Sequence, residues 1–294
     1  MRRVLAEAEA AGALAVLNRE WRGTWRLAGR LGGGRKTGAW MVEDADGARA
    51  VLKWHASAAE RQHVDDMAAL VARARDRGWP TPAWLAWALD GWRRPCVLTE
   101  LIEGAVLERM DDGALDALLG VVERQRGVAG SHGIDWATYA WRSVFEDGSR
   151  WRAALRRHSP AAFEAGEAIA RRVARYRGVR LPDTDLVHMD FGLHNVLFRN
   201  SQVAAVVDLE GIGRGAAAID LATLLFSAHG ADAATEPVLA RLVAHAVDRD
   251  GVPVLAVSLA CALFDWCVFA TAGWRPDAIE SYLTRAASLF DRFA

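Results

Sequence analysis

An aspartate and an asparagine stand close together between His188 and Asn195, and their types and spacing suit phosphoryl transfer. Four residues separate Asp190 from Asn195, and a short apolar run follows. Phosphoryl transfer needs a carboxylate that accepts or orients the proton of the acceptor hydroxyl. It also needs oxygen ligands for the Mg²⁺ that neutralises the triphosphate. A tight loop with Asp at one end and Asn at the other supplies both, although the pattern His-x-Asp-x₄-Asn alone does not identify the chemistry.

A second carboxylate, Asp208, follows thirteen residues after Asn195. It ends an apolar run over 203–207, so we expect a strand to deliver it to the same place as the loop. A carboxylate beside an Asn side chain suits a hard cation such as Mg²⁺. Glu210, two residues later, is a further candidate for metal or substrate contact. Taken alone, Asp208 is equally well explained as a turn residue at the end of a strand.

The first third of the chain predicts a sheet that follows an amphipathic helix over residues 4–19. Strands are predicted over 25–31, 39–43, 48–54, 84–89 and 95–101, with one inserted helix over 57–77. Asp46 and Gly47 form a strong hairpin signal between the second and third strands. A glycine-rich loop, Gly32 to Gly38, joins the first two strands. It is not a P-loop, because no Gly-Lys-Ser/Thr opens a helix after it.

From Gly104 onward the pattern is helical, apart from residues 185–208. There, short apolar runs bounded by polar turns predict small strands. The residues with candidate chemistry lie in this β insert or in the N-terminal sheet. The predicted helices span 112–129, 136–146, 159–177, 218–229, 233–249, 253–272 and 276–292.

Composition excludes several classes of protein. The chain has 294 residues, is 25% charged and carries a formal net charge of −1, which argues against nucleic-acid binding. A neutral total is compatible with a local acidic site for a cationic small molecule. The three cysteines, Cys96, Cys261 and Cys267, are too scattered for a disulfide framework or a zinc site. They predict a reducing, cytoplasmic environment.

No membrane partner is expected either. Residues 252–272 are long and apolar enough for a membrane span. However, Asp265 interrupts this stretch and no second span exists, so we predict a buried C-terminal helix. The N-terminal segment contains Glu7 and Glu9 and therefore lacks the apolar core of a signal peptide.

The loop and the second carboxylate together resemble the aminoglycoside phosphotransferase family of small-molecule and antibiotic kinases. The signature of that family is His-Gly-Asp-x₄-Asn, then a strand, then an Asp in a sequence such as Asp-Trp-Glu. This chain has His-Met-Asp-x₄-Asn at 188–195, Asp-Leu-Glu at 208–210 and, like the family, Asp-Leu-Ala at 220–222. The resemblance covers about residues 22–226. Met189 departs from this signature, which has Gly at that position. The difference bears on the backbone of the loop, because Gly tolerates conformations that Met does not.

Roles carry over from the resemblance by position. It implies that Asp190 is the catalytic base and that Asn195 and Asp208 bind Mg²⁺. It also implies that His188 and Asp220 brace the loop and take no direct part in the reaction.

For the N-terminal sheet the resemblance implies an ATP lobe. Lys53, one of only two lysines, falls on the third strand, where the kinase lysine that pairs with the phosphates belongs. A solvated strand lysine is the alternative. The acidic partner of Lys53 should lie on the following helix, and spacing does not decide among Glu60, Asp65 and Asp66.

Two further segments are implied to contact the nucleotide. In the glycine-rich loop the candidates for phosphate contact are Gly33, Gly34, Lys36 and Thr37. A hinge over about 98–104 would bind adenine through backbone groups at Glu100 and Ile102. The sequence does not settle ATP against GTP.

The expected fold class is therefore α+β, a protein-kinase-like two-lobe fold. Residues 1–103 would form a small antiparallel-sheet lobe that binds nucleotide, and residues 104–294 a mainly helical lobe with the catalytic loop and substrate site. The expected function is ATP-dependent phosphorylation of a hydroxyl of a small molecule. The leading acceptor is an aminoglycoside or another cationic antibiotic such as a basic peptide, which would confer resistance. A macrolide is a further possibility.

Candidate contacts for a cationic acceptor are Glu210 and Asp265. Asp265 stands out because a carboxylate within an apolar helix needs a partner or a ligand. The alternatives are a metabolic kinase acting on choline, a thiosugar or a hydroxylated amino acid, and an inactive nucleotide-binding regulator. A metal-dependent hydrolase using His188, Asp190 and His194 is a third, but it leaves Lys53 unexplained. The oligomeric state is not predicted.

Overall fold

A computed structural model of the protein describes residues 2–31, 39–55, 57–230 and 233–293. The chain forms two compact units, Met1–Gly104 and Ala105–Ala294. Each unit is built around its own buried apolar residues.

The first unit is an antiparallel sheet covered on one face by the N-terminal helix. Its sheet order is β1-β2-β3-β5-β4, with β4 and β5 paired to each other as a hairpin. The elements are α1 (Arg2–Trp21), β1 (Arg26–Leu31), β2 (Ala39–Glu43), β3 (Arg49–Trp54), α2 (Arg61–Asp76), β4 (Trp84–Leu89) and β5 (Pro95–Glu100). The predicted five strands, inserted helix and antiparallel pairing are all present.

Alternation along β3 decides which of its side chains face α1. Leu52 and Trp54 are buried in one cluster with Leu14 and Leu17 of α1. Because successive side chains of a strand point to opposite faces, Lys53 points away from α1. The hairpin predicted between β2 and β3 forms at Gly47, whose φ of +82° favours glycine.

The second unit is mainly helical, with two small sheets ordered β10-β9-β6 and β7-β11-β8. Its helices are α3 (Asp112–Glu123), α4 (Trp136–Phe145), α5 (Arg150–His158), α6 (Pro160–Val173), α7 (Ala218–Gly230), α8 (Glu236–Phe269) and α9 (Ile279–Phe290). Its strands are β6 (Ala105–Val106), β7 (Ile134–Asp135), β8 (Asp185–Val187), β9 (Val196–Arg199), β10 (Gln202–Val206) and β11 (Gly213–Gly215).

The prediction over-extended some helices and omitted four short elements. The predicted helix over 112–129 ends at Glu123, and a 3₁₀ turn at Ala174–Tyr176 follows α6. Strands β6, β7 and β11 have two or three residues each, too few for an alternation signal. Helix α5 was not predicted, because its many arginines leave few apolar residues to indicate a buried face.

The long helix α8 forms the core of the second unit. Gly251, with φ 82° and ψ 157°, interrupts it just before Pro253, which agrees with the two helices predicted on either side. The helical stretch Glu236–Gly273 is long and apolar enough to cross a membrane by length and composition, but its apolar window is 67% buried within the protein. The prediction of a buried C-terminal helix is therefore confirmed.

Candidate active site

The loop that carries Asp190 and Asn195 connects β8 to β9 and ends in a 3₁₀ turn, Leu193–Asn195. Strand β9 then pairs with β10 in an antiparallel hairpin. At the open end of this hairpin, the Val207 N–H donates to the Asn195 carbonyl oxygen at 2.9 Å. The strand pair therefore returns the chain to Asn195 one residue before Asp208, so the loop and the second carboxylate lie at one end of the hairpin.

Asn195 is buried, and its side-chain amide is oriented by Asp190. The Asn195 Nδ2 donates to the Asp190 carbonyl oxygen at 2.9 Å and to Asp190 Oδ2 at 3.1 Å. Because Nδ2 is turned towards Asp190, the Oδ1 of the same amide points away from it. The amide oxygen is thereby presented for a different partner.

The Asp190 carboxylate is held in its ionised form. Loss of solvent around the carboxylate acts to raise its pKa, but the hydrogen bond and charge of His194 and the hydrogen bond from Asn195 outweigh it. The net result is a pKa below the ordinary value for Asp. The His194 Nε2 lies 3.4 Å from Asp190 Oδ2. An ionised carboxylate at this place is suited to accept or orient a hydroxyl proton.

His188 braces the loop from the inside. Its ring is 1% exposed, its Nδ1 accepts the Asp190 N–H at 3.3 Å, and its Nε2 lies 2.9 Å from the Val207 carbonyl oxygen. A backbone N–H can only donate, so Nε2 must carry the ring proton and donate it to Val207. Both ring nitrogens thus serve the loop. Among the described residues, no three His, Cys, Asp or Glu side chains form a group that could hold a metal ion.

Asp220, at the start of α7, holds the backbone of the loop from beneath. Its Oδ2 accepts the His188 N–H and its Oδ1 the Met189 N–H, each at 2.8 Å. Gln125, fully buried after α3, adds a third donor through Nε2 at 2.6 Å. Burial raises the pKa of the Asp220 carboxyl, against the effect of His188 and these three donors. The bracing role expected of Asp220 is what these contacts provide.

Two hydroxyls further along α7 continue the same support. The Phe191 N–H donates to Thr223 Oγ1 at 3.0 Å, and the Leu193 N–H donates to Ser227 Oγ at 3.1 Å. Asp220, Thr223 and Ser227 recur at helical spacing, so they form one polar row on an otherwise apolar helix. Thr223, Ser227 and Gln125 were not predicted from the sequence as residues of the site. Thr223 and Ser227 could have been found from the row of polar residues that they form on an otherwise apolar helix.

Two residues of the site have left-handed backbone conformations. Met189 has φ 72°, and Asp208 has φ 70° and ψ 59°. For a residue with a Cβ this conformation costs about 1–2 kcal/mol relative to the right-handed region. Met189 occupies the position of the glycine in the family signature, and its left-handed backbone is one that glycine adopts without steric cost.

In the first unit, the structure constrains how the predicted hinge could bind adenine. The Glu100 N–H already donates to the Ala83 carbonyl oxygen at 2.9 Å, so this N–H is not available to a ligand. The Glu100 side chain lies 3.3 Å from Arg75 Nη1 and from the Ala83 N–H. Ile102 follows β5 in an irregular segment. The predicted phosphate contacts Gly33, Gly34, Lys36 and Thr37 lie outside the described residues.

Lys53 lies on β3 opposite Val97 of β5. Of the acidic candidates for its partner, Asp65 accepts from Arg61 at 3.1 Å and from the Trp87 indole at 2.8 Å. Asp66 accepts from Gln62 at 2.8 Å, and Glu60 sits at the N-cap of α2.

The two candidate substrate residues lie on different elements of the second unit. Glu210 is in the 3₁₀ turn Leu209–Gly211, directly after Asp208. Asp265 is half-buried in α8 and accepts a 2.5 Å hydrogen bond from the Tyr139 hydroxyl. Burial raises the pKa of Asp265 to about 6, although Tyr139 and Arg150 act to lower it.

A comparison with protein families decides the identity of the chain. Residues 28–257, more than half of the sequence, match the phosphotransferase enzyme family APH. The chain belongs to this family. The match includes the third strand with Lys53, the loop with Asp190 and the Asp208 turn. Family membership makes it a small-molecule phosphotransferase. A search of curated proteins found no match.

Solved structures share the fold of this aminoglycoside phosphotransferase family member. A mutant of aminoglycoside phosphotransferase APH(4)-Ia, in ternary complex with AMP-PNP and hygromycin B, aligns with TM-score 0.69 and 14% identity over 91% of this chain and 95% of its own. Amicoumacin kinase hAmiN, in complex with AMP-PNP, Ca²⁺ and Ami, aligns with TM-score 0.61 and 12% identity over 99% of this chain and 93% of its own. Aminoglycoside-3'-phosphotransferase of type VIII aligns with TM-score 0.53 and 18% identity over 86% and 98%. The predicted α+β, protein-kinase-like fold is confirmed.

Proposed function

We propose that this phosphotransferase uses ATP and Mg²⁺ to phosphorylate a hydroxyl of a small-molecule antibiotic in the cytoplasm. The observation that carries the proposal is the arrangement of Asp190, Asn195 and Asp208 at one end of the β9–β10 hairpin. Structural neighbours that bind AMP-PNP together with hygromycin B or Ami support the nucleotide and the class of acceptor.

The residues present fit a hard divalent cation. Asn195 turns its Nδ2 to Asp190 and thus directs its Oδ1 elsewhere, and Asp208 adds a carboxylate at the same end of the hairpin. Oxygen ligands of this kind suit Mg²⁺, which takes few protein ligands and completes its shell with water and phosphate oxygens. When bound, Mg²⁺ would neutralise charge on the transferring phosphoryl group.

We assign the proton-accepting role to one oxygen of Asp190. Both His194 and Asn195 contact Oδ2 of this carboxylate. Oδ1 is therefore the oxygen that we expect to meet the acceptor hydroxyl. The contacts at Oδ2 keep the carboxylate ionised and fix its plane, so the pair of neighbours orients the base.

For the nucleotide we propose that residues 1–103 act as the binding lobe. Lys53 would pair with the phosphates, with Glu60, Asp65 and Asp66 still candidates for its acidic partner. The Glu100 carbonyl and the Ile102 backbone would bind adenine. The glycine-rich loop with Gly33, Gly34, Lys36 and Thr37 would contact the phosphates.

Residues 104–294 would hold the acceptor. We propose a cationic antibiotic, with Glu210 and Asp265 as its carboxylate contacts and resistance as the biological result. A carboxylate in an apolar helix favours a positively charged partner over a neutral one. Protonation of Asp265 would weaken that contact, so acceptor binding should be poorer well below pH 6 than above it.

The first test is to incubate the protein with ATP and Mg²⁺ across antibiotic classes and metabolic alcohols, reading phosphoryl adducts by mass spectrometry and ADP release in parallel. An adduct on a cationic antibiotic is expected. An adduct found only on choline, a thiosugar or a hydroxylated amino acid would replace the proposed substrate. If no acceptor gives an adduct, catalysis itself is refuted.

The second test removes the proposed base. Asp190→Asn should lower the acceptor-dependent rate by about 10²–10⁴-fold, since that is the usual contribution of a general base. Asp248→Asn, an exposed Asp of α8, is the matched control and should leave the rate unchanged. Thermal unfolding of both variants shows whether they are folded. An Asp190→Asn variant with the wild-type rate would disprove the assignment.

A further inference from the structure

Trp136, the first residue of α4, is bonded to the turn that follows Asp208. Its indole Nε1 donates to the Gly211 carbonyl oxygen at 2.7 Å. Gly211 closes the 3₁₀ turn Leu209–Gly211, of which Asp208 is the N-cap. One side-chain donor from a distant part of the sequence thus anchors the far end of the turn that presents Asp208.

The chain around Trp136 leaves the indole little freedom. A Cβ at Gly213 would lie 2.8 Å from Trp136 Cδ1 and Nε1 and 2.5 Å from the Ile134 carbonyl oxygen, so only glycine fits there. A Cβ at Gly211 would lie 3.1 Å from the His188 carbonyl oxygen. The indole therefore lies against β11, and the turn that it anchors lies against the catalytic loop.

Strand pairing fixes the base of this arrangement. β7 and β11 pair in parallel, with Gly213 opposite Ile134 and Arg214 opposite Asp135. The Arg214 Nη2 donates to Asp135 Oδ2 at 2.7 Å, and Asp135 Oδ1 caps α4 by accepting the Thr138 N–H at 2.9 Å. The first turn of α4 is thus held to the strand that follows the Asp208 turn.

On its other side Trp136 meets the proposed acceptor region. Tyr139 packs edge-to-face on the Trp136 indole, with ring centroids 5.2 Å apart, and donates its hydroxyl proton to Asp265. Trp136 therefore stands between Asp265 and the turn after Asp208.

We propose that Trp136 is a positioning residue that sets the direction of the Asp208 carboxylate for metal binding. The inference rests on the proposed function, because it takes Asp208 as a metal ligand. Asp208 has a left-handed backbone, φ 70° and ψ 59°, and begins the turn Leu209–Gly211 as its N-cap. The Trp136–Gly211 hydrogen bond holds the far end of that turn in place. Partners behind a metal ligand commonly change metal affinity by about 10–100-fold when removed.

The test measures metal affinity directly, with Mn²⁺ as the probe. Free Mn²⁺ is followed by electron paramagnetic resonance while it is titrated into protein saturated with AMP-PNP. Trp136→Phe keeps an aromatic ring without the N–H donor, and we expect it to weaken Mn²⁺ binding about tenfold. Trp141→Phe is the matched control, since the Trp141 indole also donates to a backbone oxygen, that of Arg177, at 2.9 Å. Its Mn²⁺ affinity should stay at the wild-type value.

Steady-state rates give a second readout. In Trp136→Phe, the Mg²⁺ concentration for half-maximal rate should rise about tenfold, and the rate at saturating Mg²⁺ should return to near the wild-type value. A role in folding alone would lower the yield of active protein at every Mg²⁺ concentration. If the Phe variant does not fold, 3-benzothienylalanine at position 136, which replaces N–H by sulfur in a ring of the same shape, removes the same bond.

The role of Trp136 and the assignment of Asp208 as a metal ligand can fail separately in this experiment. If Trp136→Phe or the benzothienyl protein binds Mn²⁺ with an affinity within twofold of wild type, the proposed role of Trp136 is overturned. Binding of Mn²⁺ by the wild-type protein would still support the metal site. An Asp208→Asn variant that binds Mn²⁺ like wild type would refute the ligand assignment and the inference together.

Discussion

The pKa of the Asp265 carboxyl differs between the folded and the unfolded chain. Burial raises its pKa to about 6, whereas an exposed Asp titrates near 3.9. The folded protein therefore binds this proton more readily than the unfolded chain does. The stability associated with the protonated carboxyl is complete below about pH 4 and is lost as the pH rises through 6.

Asp265→Asn should remove this pH dependence. Relative to the Asn variant, wild type should lose about 2–3 kcal/mol of unfolding free energy between about pH 4 and pH 7. The measurement is urea unfolding of both proteins across that range. The Asn side chain can still accept from Tyr139, so the 2.5 Å contact has a replacement. Parallel pH profiles for the two proteins would contradict the raised pKa.

At the level of single residues, the sequence predicted types well and conformations poorly. The distinctive Asp and Asn of the loop, and Lys53 on a strand, could be recognised because their chemistry restricts the residue type. The left-handed backbone of Met189 could not, because nothing in a Met predicts φ 72°. That angle is imposed by contacts from Asp220, which lies 31 residues away.

Among the elements, α7 has the closest relation to the site. Its polar row, Asp220, Thr223 and Ser227, accepts backbone N–H groups along the length of the loop. Because a helix is rigid over this distance, these hydrogen bonds to α7 fix the backbone conformation of the loop.

Thr223→Val should show the contribution of that row. The change keeps the shape of the side chain but leaves the Phe191 N–H without its acceptor, and we expect a loss of about 1–3 kcal/mol in stability together with a lower turnover rate. Urea unfolding and steady-state kinetics measure the two effects. Thr223→Ser retains the hydroxyl and serves as the control. Equal stability of the Val and Ser variants would show that the bond to Phe191 is dispensable.

Which elements could be predicted depended on their length. The five strands of the first unit span five or six residues each, long enough to be recognised from the sequence, and Asp46-Gly47 marked a hairpin. β7 and β11 could not be seen, yet they fix Trp136 against the turn after Asp208. The parts of the site that escaped the sequence are thus those made by short elements and by distant contacts.

At the scale of the whole molecule, the second unit is joined by a buried ion network around Arg249. The Arg249 side chain, 3% exposed, lies 3.1 Å from Glu123 at the end of α3, 3.3 Å from Asp185 at the start of β8, and 2.7 Å from Asp250 in α8. One guanidinium therefore ties together two helices and the strand that leads into the catalytic loop.

Arg249→Met should destabilise the protein by about 3–5 kcal/mol, because it leaves buried carboxylates without their cation. Arg126→Met, which removes an exposed partner of the same Glu123 at 3.4 Å, should cost less than about 1 kcal/mol. Denaturant titration of both variants gives the comparison. If Arg249→Met were as mild as Arg126→Met, the network would be an incidental cluster of charges.

Met189 has a consequence for how such enzymes are found. A search pattern that requires glycine between the histidine and the aspartate would pass over this chain, although its loop has a left-handed backbone that glycine favours, φ 72° at Met189, and is anchored by Asp220. In this chain a Met residue adopts that torsion angle. Patterns written in terms of backbone shape, with the anchoring aspartate included, would recover kinases of this kind that letter-based signatures exclude.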